Sequence, residues 1–162
     1  MPDLKTIRNG IAELPKGAPL VVALTGGTTG IGSYTARAFA RAFAKNGNKL
    51  RVYIIGRNAS RAEDILNYGR ETAKGSDWRF IQVGNLALMS EVEKVSATII
   101  EQEKAAPFAG GPPSLDVLYM SQALSPFQTS PRKSPLPPLP PSFHRAPISI
   151  SLLHLAWFRG HC

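Results

Sequence analysis

The first 124 residues alternate between two hydrophobic periods. Short apolar runs rich in β-forming residues predict strands at residues 20–25, 50–55, 79–83 and 115–120. Between these runs, apolar residues recur at helical spacing and predict helices at residues 31–46, 60–74 and 90–104. The second and third helices open with Ser-x-x-Glu, the pattern of a capping box, at Ser60 and at Ser90.

This order of elements predicts an α/β fold. Helices long enough for crossovers separate successive strands, which indicates a parallel sheet covered by helices on both faces. The expected architecture is a partial doubly wound, Rossmann-like sheet of about four strands. Ligands of such sheets bind at the carboxyl ends of the strands, which fall at Thr25, Ile55, Val83 and Met120.

The composition changes abruptly near Ser125. Residues 125–162 contain 8 of the 14 prolines, all three histidines and the only cysteine, but no acidic residue. Because proline removes backbone donors, this segment is expected to be an irregular and disordered tail. The predicted organisation is therefore one domain over residues 1–124 and a proline-rich tail over residues 125–162.

Charge and composition narrow the range of partners. The net charge of +8 divides equally between the two segments, and no basic cluster is interleaved with aromatic residues, so no nucleic-acid partner is expected. The longest apolar stretch, residues 148–158, is too short to span a bilayer, and the N-terminus lacks the apolar run of a signal peptide. The lone Cys162 excludes an internal disulfide. We expect a cytoplasmic protein with no membrane partner.

A glycine-rich turn follows the first predicted strand, with the sequence Thr-Gly-Gly-Thr-Thr-Gly-Ile-Gly over residues 25–32. Glycine permits the sharp turn and lets a pyrophosphate approach the backbone, while the next helix presents free N–H groups to that anion. The alternative is a tight turn that binds nothing, but the strand–turn–helix–strand context favours a dinucleotide. The predicted cofactor-binding residues of the turn are Thr25, Gly26, Thr28, Thr29, Gly30, Ile31 and Gly32.

The spacing Thr-Gly-x-x-x-Gly-x-Gly resembles that of classical short-chain dehydrogenases/reductases. The resemblance extends over residues 18–124 through Gly56-Arg57-Asn58, through Gly84-Asn85-Leu86 where the family has Asp-Leu, and through Leu-Asp-Val-Leu-Tyr-Met-Ser-Gln-Ala at 115–123. Members from fungi are the nearest in pattern. The resemblance implies hydride transfer between a nicotinamide cofactor and a carbonyl or alcohol. It also implies that Asn85 and Leu86 lie at the adenine, and that Ser121 and Gln122 lie around the ribose.

The end of the second predicted strand bears on the choice of nucleotide. NAD-specific domains usually place a carboxylate there to bind the ribose 2′-hydroxyl, whereas this chain has Gly56 followed by Arg57 and Asn58. A guanidinium can hold a 2′-phosphate through two hydrogen bonds and stack on the adenine. NADP is therefore the predicted cofactor and NAD the less favoured one. The alternative is that Arg57 is a solvated loop charge.

The catalytic motif of the family is missing from the chain. Reduction of a carbonyl needs a proton donor, and the family uses a Tyr with a Lys four residues later. The residues four positions after the four tyrosines are Ala38, Arg57, Thr72 and Ala123, so the motif is absent and no catalytic residue is assigned. No metal site is expected either, because the histidines and Cys162 lack ligand spacing. We expect a reductase truncated after the fourth strand, which is inactive and prone to self-association through an unpaired sheet edge.

The proline-rich tail offers a second, non-enzymatic interpretation. Residues 132–141, Arg-Lys-Ser-Pro-Leu-Pro-Pro-Leu-Pro-Pro, contain Arg-x-x-Pro-x-x-Pro. Such segments form polyproline helices that dock on Src-homology-3-type (SH3) or WW domains. An interaction protein that binds through this tail is the alternative to a reductase fragment.

Overall fold

The fold was analysed in a computed structural model, which describes residues 3–121. After the N-terminal helix α1, four strands alternate with three α-helices: α1 (Leu4–Glu13), β1 (Leu20–Thr25), α2 (Gly30–Ala42), β2 (Leu50–Gly56), α3 (Ala59–Thr72), β3 (Asp77–Gln82), α4 (Met89–Ala105) and β4 (Val117–Met120). Gln122 and the predictions for the proline-rich tail lie outside the described residues.

The four strands form one parallel sheet in the order β3-β2-β1-β4. In this register Thr25 at the end of β1 lies opposite Ile55 of β2 and Met120 of β4. The carboxyl ends of the strands therefore lie along one edge, as the α/β prediction requires. The expected Rossmann-like sheet of about four strands is confirmed.

Two hydrophobic cores sandwich the sheet. Along β1, Val22 and Leu24 pack into a core that includes residues of α2 and α3, whereas Val21 and Ala23 pack into one that includes residues of α4. Successive side chains of a strand point to opposite faces, so β1 contributes to both cores. All four of these residues are almost completely buried, which confirms the prediction of helices on both faces.

The N-terminal helix α1 has no counterpart among the predicted elements. Its first turn is capped by Asp3, whose carboxylate accepts a hydrogen bond from the backbone N–H of Thr6 at 2.7 Å. Its apolar side chains remain exposed, with Leu4, Ile7 and Ile11 at 71%, 46% and 49%. Helix α1 therefore buries no residue in the two cores.

The predicted helix starts are wrong at both capping boxes. Helix α3 is capped by Asn58, whose Oδ1 accepts the N–H of Arg61 at 3.0 Å, so that Ser60 lies inside the helix. Helix α4 begins at Met89, because the turn in which Leu88 donates to Asn85 runs directly into the helix. A capping side chain upstream of the serine thus starts α3, whereas the N-cap residue of α4 is Leu88, whose side chain makes no capping hydrogen bond.

Helix α2 ends at Ala42 rather than at the predicted residue 46. Phe43 is completely buried at the C-terminal cap, and its backbone leaves the helical conformation. Ala44 then donates to Arg41 and Asn46 donates to Phe43, which are turn bonds rather than helical ones. Burial of Phe43 and these two bonds direct the chain towards β2.

A cluster of charged side chains, which we call the Arg51–Glu103 cluster, joins α4 to the sheet at the end opposite the glycine-rich turn. Arg51 near the start of β2 donates to Asp77 at 2.9 Å and to Glu103 of α4 at 2.9 Å. The hydroxyl of Tyr53 donates to the same Glu103 oxygen at 2.6 Å, and Arg79 pairs with Asp77 at 2.8 Å. Burial raises the pKa of Tyr53 above its ordinary value, and the Glu103 carboxylate raises it further.

Among residues 3–121, no helix is both long enough and apolar enough to cross a membrane. The same residues contain no group of three or more His, Cys, Asp or Glu side chains arranged to hold a metal ion.

Candidate nucleotide-binding site

The glycine-rich turn begins where the chain leaves β1. Gly26 has φ of 71°, a left-handed conformation that glycine adopts without strain. Its N–H donates to the carbonyl of Ile55 at 3.1 Å, which joins the turn to the end of β2. Gly30 also has a positive φ, 54°, and a Cβ at that position would meet no atom within 4 Å. The turn is thus fixed to the sheet on one side and open on the other.

The open side of the turn coincides with the N-terminus of α2. Thr29 is the N-cap residue in an extended conformation, and its side chain does not cap the helix. Gly30 and Ile31, the first two helical residues, are exposed, Ile31 at 72%. Backbone N–H groups and the positive end of the helix dipole at such a terminus favour an anion. This arrangement fits the pyrophosphate of a dinucleotide.

Gly32 lies where α2 approaches the strand ends most closely. A Cβ at this buried residue would collide with the carbonyl of Gly26 and the hydroxyl of Ser121. Any other residue would push α2 away from the turn. Gly32 therefore has a packing role, since it lets α2 lie close to the turn and to Ser121.

Ser121, the first residue after β4, holds the turn from the other side. Its backbone N–H donates to the carbonyl of Thr25 at 3.0 Å. Its hydroxyl lies 3.0 Å from the same carbonyl and 3.1 Å from the carbonyl of Gly26. Sequence reasoning predicted a cofactor contact for Ser121 but not these bonds, which link β4 to the turn. The contact with the cofactor stays a prediction.

The end of β2 brings Gly56, Arg57 and Thr28 together. Gly56 is buried beneath the side chain of the half-buried Thr28, and Arg57 is the first exposed residue after the strand. The carbonyl of Arg57 accepts a hydrogen bond from the Gln82 side chain at 3.5 Å. Asn58 uses its side-chain oxygen to cap α3. A guanidinium is thus presented beside the start of α3, at the edge where the strands end.

The loop after β3 carries Asn85 and Leu86. Asn85 is exposed, and its Oδ1 accepts the N–H of Ala87 at 3.0 Å, which is the behaviour of a turn residue. Leu86 is half-buried against the core on the α4 face. The nucleotide contacts predicted for these two residues stay predictions.

Glu91 was not among the predicted site residues. Its carboxylate accepts the N–H of Gly84 at 3.3 Å and is paired with Lys94 at 3.0 Å. These contacts, that with Lys94 first, lower the pKa of Glu91. The acid was visible in the sequence near the start of the helix, but its contact with the loop depends on the fold.

The predicted residues in the described part of the chain therefore fall into four groups at the carboxyl ends of the strands: the turn, the end of β2, the loop after β3, and Ser121 after β4. The turn, the β2 end and the loop after β3 are adjacent because β1, β2 and β3 are neighbouring parallel strands. Only Gln122 among the predicted site residues lies outside the described part of the chain. The glycine turn, the uncapped start of α2 and the exposed Arg57 are compatible with a phosphorylated dinucleotide.

The chain is similar to oxidoreductases from fungi. It is 56% identical over 124 residues to the short-chain dehydrogenase/reductase SAT2 of Stachybotrys chartarum, which covers 76% of this chain and 35% of the relative. It is 33% identical over 109 residues to the oxidoreductase AN1596 of Emericella nidulans, which covers 67% of this chain and 31% of that protein. The chain thus spans about a third of the length of these curated relatives.

Solved structures share the fold. A candidate short chain dehydrogenase from Pseudomonas syringae superimposes with a TM-score of 0.50 at 21% identity, over 66% of this chain and 37% of that one. No family model matches the chain.

Proposed function

The chain belongs to the short-chain dehydrogenase/reductase family, and from this premise we propose that it is an NADP(H)-binding portion of a reductase. The reaction of the whole enzyme would be hydride transfer between NADP(H) and a carbonyl or alcohol substrate. The observation that carries the proposal is the turn over residues 25–32, open at the uncapped start of α2 and next to the exposed Arg57.

The end of β2 supports NADP rather than NAD. Gly56 supplies no carboxylate to receive the ribose 2′-hydroxyl, and a 2′-phosphate meets no repulsion there. Arg57 is exposed and follows Gly56 directly, so its guanidinium can reach a phosphate on that ribose. Thr25, Gly26, Thr28, Thr29, Gly30, Ile31 and Gly32 would surround the pyrophosphate, with Asn58, Asn85, Leu86, Ser121 and Gln122 around the nucleoside.

We further propose that the 162-residue chain does not complete the reaction. None of its tyrosines is followed by a lysine four residues later, so the family's proton donor has no counterpart in this sequence. Once bound, the nicotinamide cofactor supplies the hydride. The residues of this chain would bind and orient it without donating the accompanying proton.

Thermal unfolding combined with an absorbance assay tests both parts of the proposal. A ligand that binds only the folded state at about 100 times its Kd stabilises that state by about 2.7 kcal/mol. NADP is therefore expected to raise the unfolding midpoint of the chain, while NADPH absorbance stays constant in the presence of carbonyl compounds. An unchanged midpoint would contradict binding, and steady NADPH oxidation would contradict catalytic incompetence.

Two further proposals concern partners. The outer edge of β4 pairs with no strand among residues 3–121, and unpaired edges promote self-association. The Arg-x-x-Pro-x-x-Pro sequence within residues 132–141 favours an SH3-type ligand as the alternative function. A pulldown with the 132–141 peptide tests that alternative, which fails if SH3 and WW domains are not retained above background. A cytoplasmic location stays a prediction from the sequence.

A further inference from the structure

We propose that Thr28 is a specificity-determining residue, because its methyl group occupies the space that a side chain at position 56 would need. This inference rests on the proposed NADP site and deepens it. The chain would reject an NAD-type carboxylate at the end of β2 through a steric contact made by the glycine-rich turn. Nucleotide choice would then depend on a pair of residues, Thr28 and Gly56, as well as on Arg57.

The contact is visible in the geometry of Gly56. A Cβ built on this buried glycine would lie 2.8 Å from Cγ2 of Thr28 and 3.6 Å from its Oγ1. On the other side it would lie 3.7 Å from the ring of Phe80, which is ordinary van der Waals contact. The distance to the Thr28 methyl is well below that of two carbon atoms in contact, about 3.5–4.0 Å. Thr28 is thus the neighbour that leaves no room for a side chain at position 56.

The turn that carries Thr28 has little freedom to move away. Gly27 is buried, and a Cβ there would lie 3.3 Å from Cβ of Leu24 and 3.4 Å from Ile54. The backbone N–H of Gly26 donates a hydrogen bond to the carbonyl of Ile55, and the carbonyl of Gly26 accepts one from the Ser121 hydroxyl. These contacts fix the backbone that leads into Thr28, so relief would require rotation of its side chain.

Rotation of Thr28 is itself restricted. Its side chain is β-branched and therefore stiff at χ1, and the residue is half-buried. Replacement by serine removes Cγ2, the atom that lies closer to position 56 than van der Waals contact allows, and it keeps the hydroxyl group. Thr28→Ser is consequently the variant that isolates the steric contact from the loss of a polar group.

The consequence concerns substitutions that would convert the site to NAD. An aspartate at position 56 could accept hydrogen bonds from a ribose 2′-hydroxyl, but its Cβ would overlap the Thr28 methyl group. Gly56→Asp alone should displace the turn and weaken both nucleotides. Thr28→Ser/Gly56→Asp should place the carboxylate without displacing the turn.

The test is a double-mutant cycle on the 162-residue chain. NADH and NADPH affinities are measured by fluorescence titration for the wild type, Thr28→Ser, Gly56→Asp and the double variant. The double variant is expected to bind NADH at least about tenfold more tightly than Gly56→Asp, because residues in direct contact couple by this order. Equal NADH affinity of Gly56→Asp and the double variant, with no coupling, would overturn the specificity role.

A second cycle without nucleotide keeps the steric contact testable by itself. Gly56→Ala is expected to lower the unfolding midpoint by on the order of 5 °C, and Thr28→Ser should restore most of that loss. Gly84→Ala is the matched control, since a Cβ there meets only a Glu91 oxygen at 3.8 Å, and Thr28→Ser should not rescue it. If the changes in unfolding midpoint caused by Gly56→Ala and Thr28→Ser simply add in the double variant, the proposed steric contact is wrong.

The two cycles separate this inference from the proposed function. A wild-type chain that binds neither nucleotide would refute the NADP site and the specificity role together. The unfolding midpoints would still decide whether Thr28 and Gly56 are coupled. Nucleotide binding by the wild type without coupling in either cycle would refute the role of Thr28 and leave the NADP site intact.

Discussion

At the scale of single residues, three side chains at the strand ends act through different contacts. Thr28 packs over Gly56, Ser121 hydrogen-bonds the turn, and Arg57 extends from the end of β2 into solvent. The first two contacts are short-range and fix the backbone. A guanidinium can recognise a phosphate through charge-assisted hydrogen bonds, so Arg57 is the residue at which recognition can be tested.

Arg57→Asp should reverse the nucleotide preference. Hydrogen bonds to charged groups contribute about 1.5–3 kcal/mol, so NADP affinity should fall by roughly 10- to 100-fold while NAD affinity is retained or gained. Isothermal titration with both nucleotides provides the measurement. Arg41→Asp makes the same charge change in the last turn of α2 and should leave the preference unaltered. Unchanged affinities for both nucleotides in Arg57→Asp would show that Arg57 is a solvated loop charge.

Sequence spacing could predict the glycines of the site but not its side-chain contacts. Gly26, Gly30 and Gly32 are recognisable because a turn of this kind imposes glycine at a fixed spacing. The hydroxyl of Ser121 bonds to Thr25 and Gly26 across the sheet, more than 90 residues away in the chain. Nothing local in the sequence determines which direction that hydroxyl takes.

At the scale of elements, the Arg51–Glu103 cluster attaches α4 to the sheet. Glu103 is completely buried and receives hydrogen bonds from Arg51 and from Tyr53, while Arg51 also donates to the carbonyl of Ala106. Removal of one partner from such a buried set leaves an uncompensated charge, which is strongly destabilising. The cluster lies at the start of β2, so it can stabilise the fold without contacting the candidate site.

The raised pKa of Tyr53 predicts a loss of stability at alkaline pH. Below the ordinary tyrosine pKa of about 10, the phenol of Tyr53 is neutral in both the folded and the unfolded chain. In this pH range Tyr53 makes its full contribution to the free energy of unfolding. Above it the unfolded chain releases the proton while the folded chain retains it, so stability falls as pH rises towards the folded-state value. The unfolding midpoint should therefore fall less steeply above pH ~9.5 in Tyr53→Phe than in the wild type.

The control for this prediction is Tyr34→Phe, which changes an exposed tyrosine, 69% accessible, and should leave the alkaline slope as in the wild type. Tyr53→Phe should also lower the midpoint at neutral pH, because the hydroxyl then no longer donates to Glu103 or accepts from Arg79, and hydrogen bonds to charged groups contribute about 1.5–3 kcal/mol. Parallel alkaline slopes for Tyr53→Phe and the wild type would contradict the prediction.

Element types were predictable because hydrophobic periodicity is strong, but element ends depended on individual hydrogen bonds. The strands at 20–25 and 50–55 agree closely with β1 and β2, since both are apolar runs bounded by glycine or polar residues. Asn58 displaced Ser60 as the cap of α3 because both residues are suitable and the sequence does not rank them. Helix α1 was not predicted, although Asp3 is a suitable cap and the apolar residues of the helix have helical spacing. The helix packs into neither core, so the α/β pattern gave no reason to expect it.

At the scale of the whole molecule, the four-stranded sheet leaves β3 and β4 at its two edges. The parallel alternation predicted that the strand ends would share one edge, and the tendency of consecutive strands to lie side by side agrees with the neighbouring positions of β1 and β2. The position of β4 beside β1 rather than beside β3 is not determined by alternation, because it depends on which edge the chain crosses to after α4. That crossover also brings Ser121 to the turn.

We propose that this chain binds NADP(H) in preference to NAD(H) at the glycine-rich turn. The most direct test is a fluorescence titration of the wild-type 162-residue chain with NADPH and with NADH under identical conditions. We expect saturable binding of NADPH that is at least about tenfold tighter than binding of NADH, equivalent to about 1.4 kcal/mol. Equal affinity for the two nucleotides, or tighter binding of NADH, would contradict it.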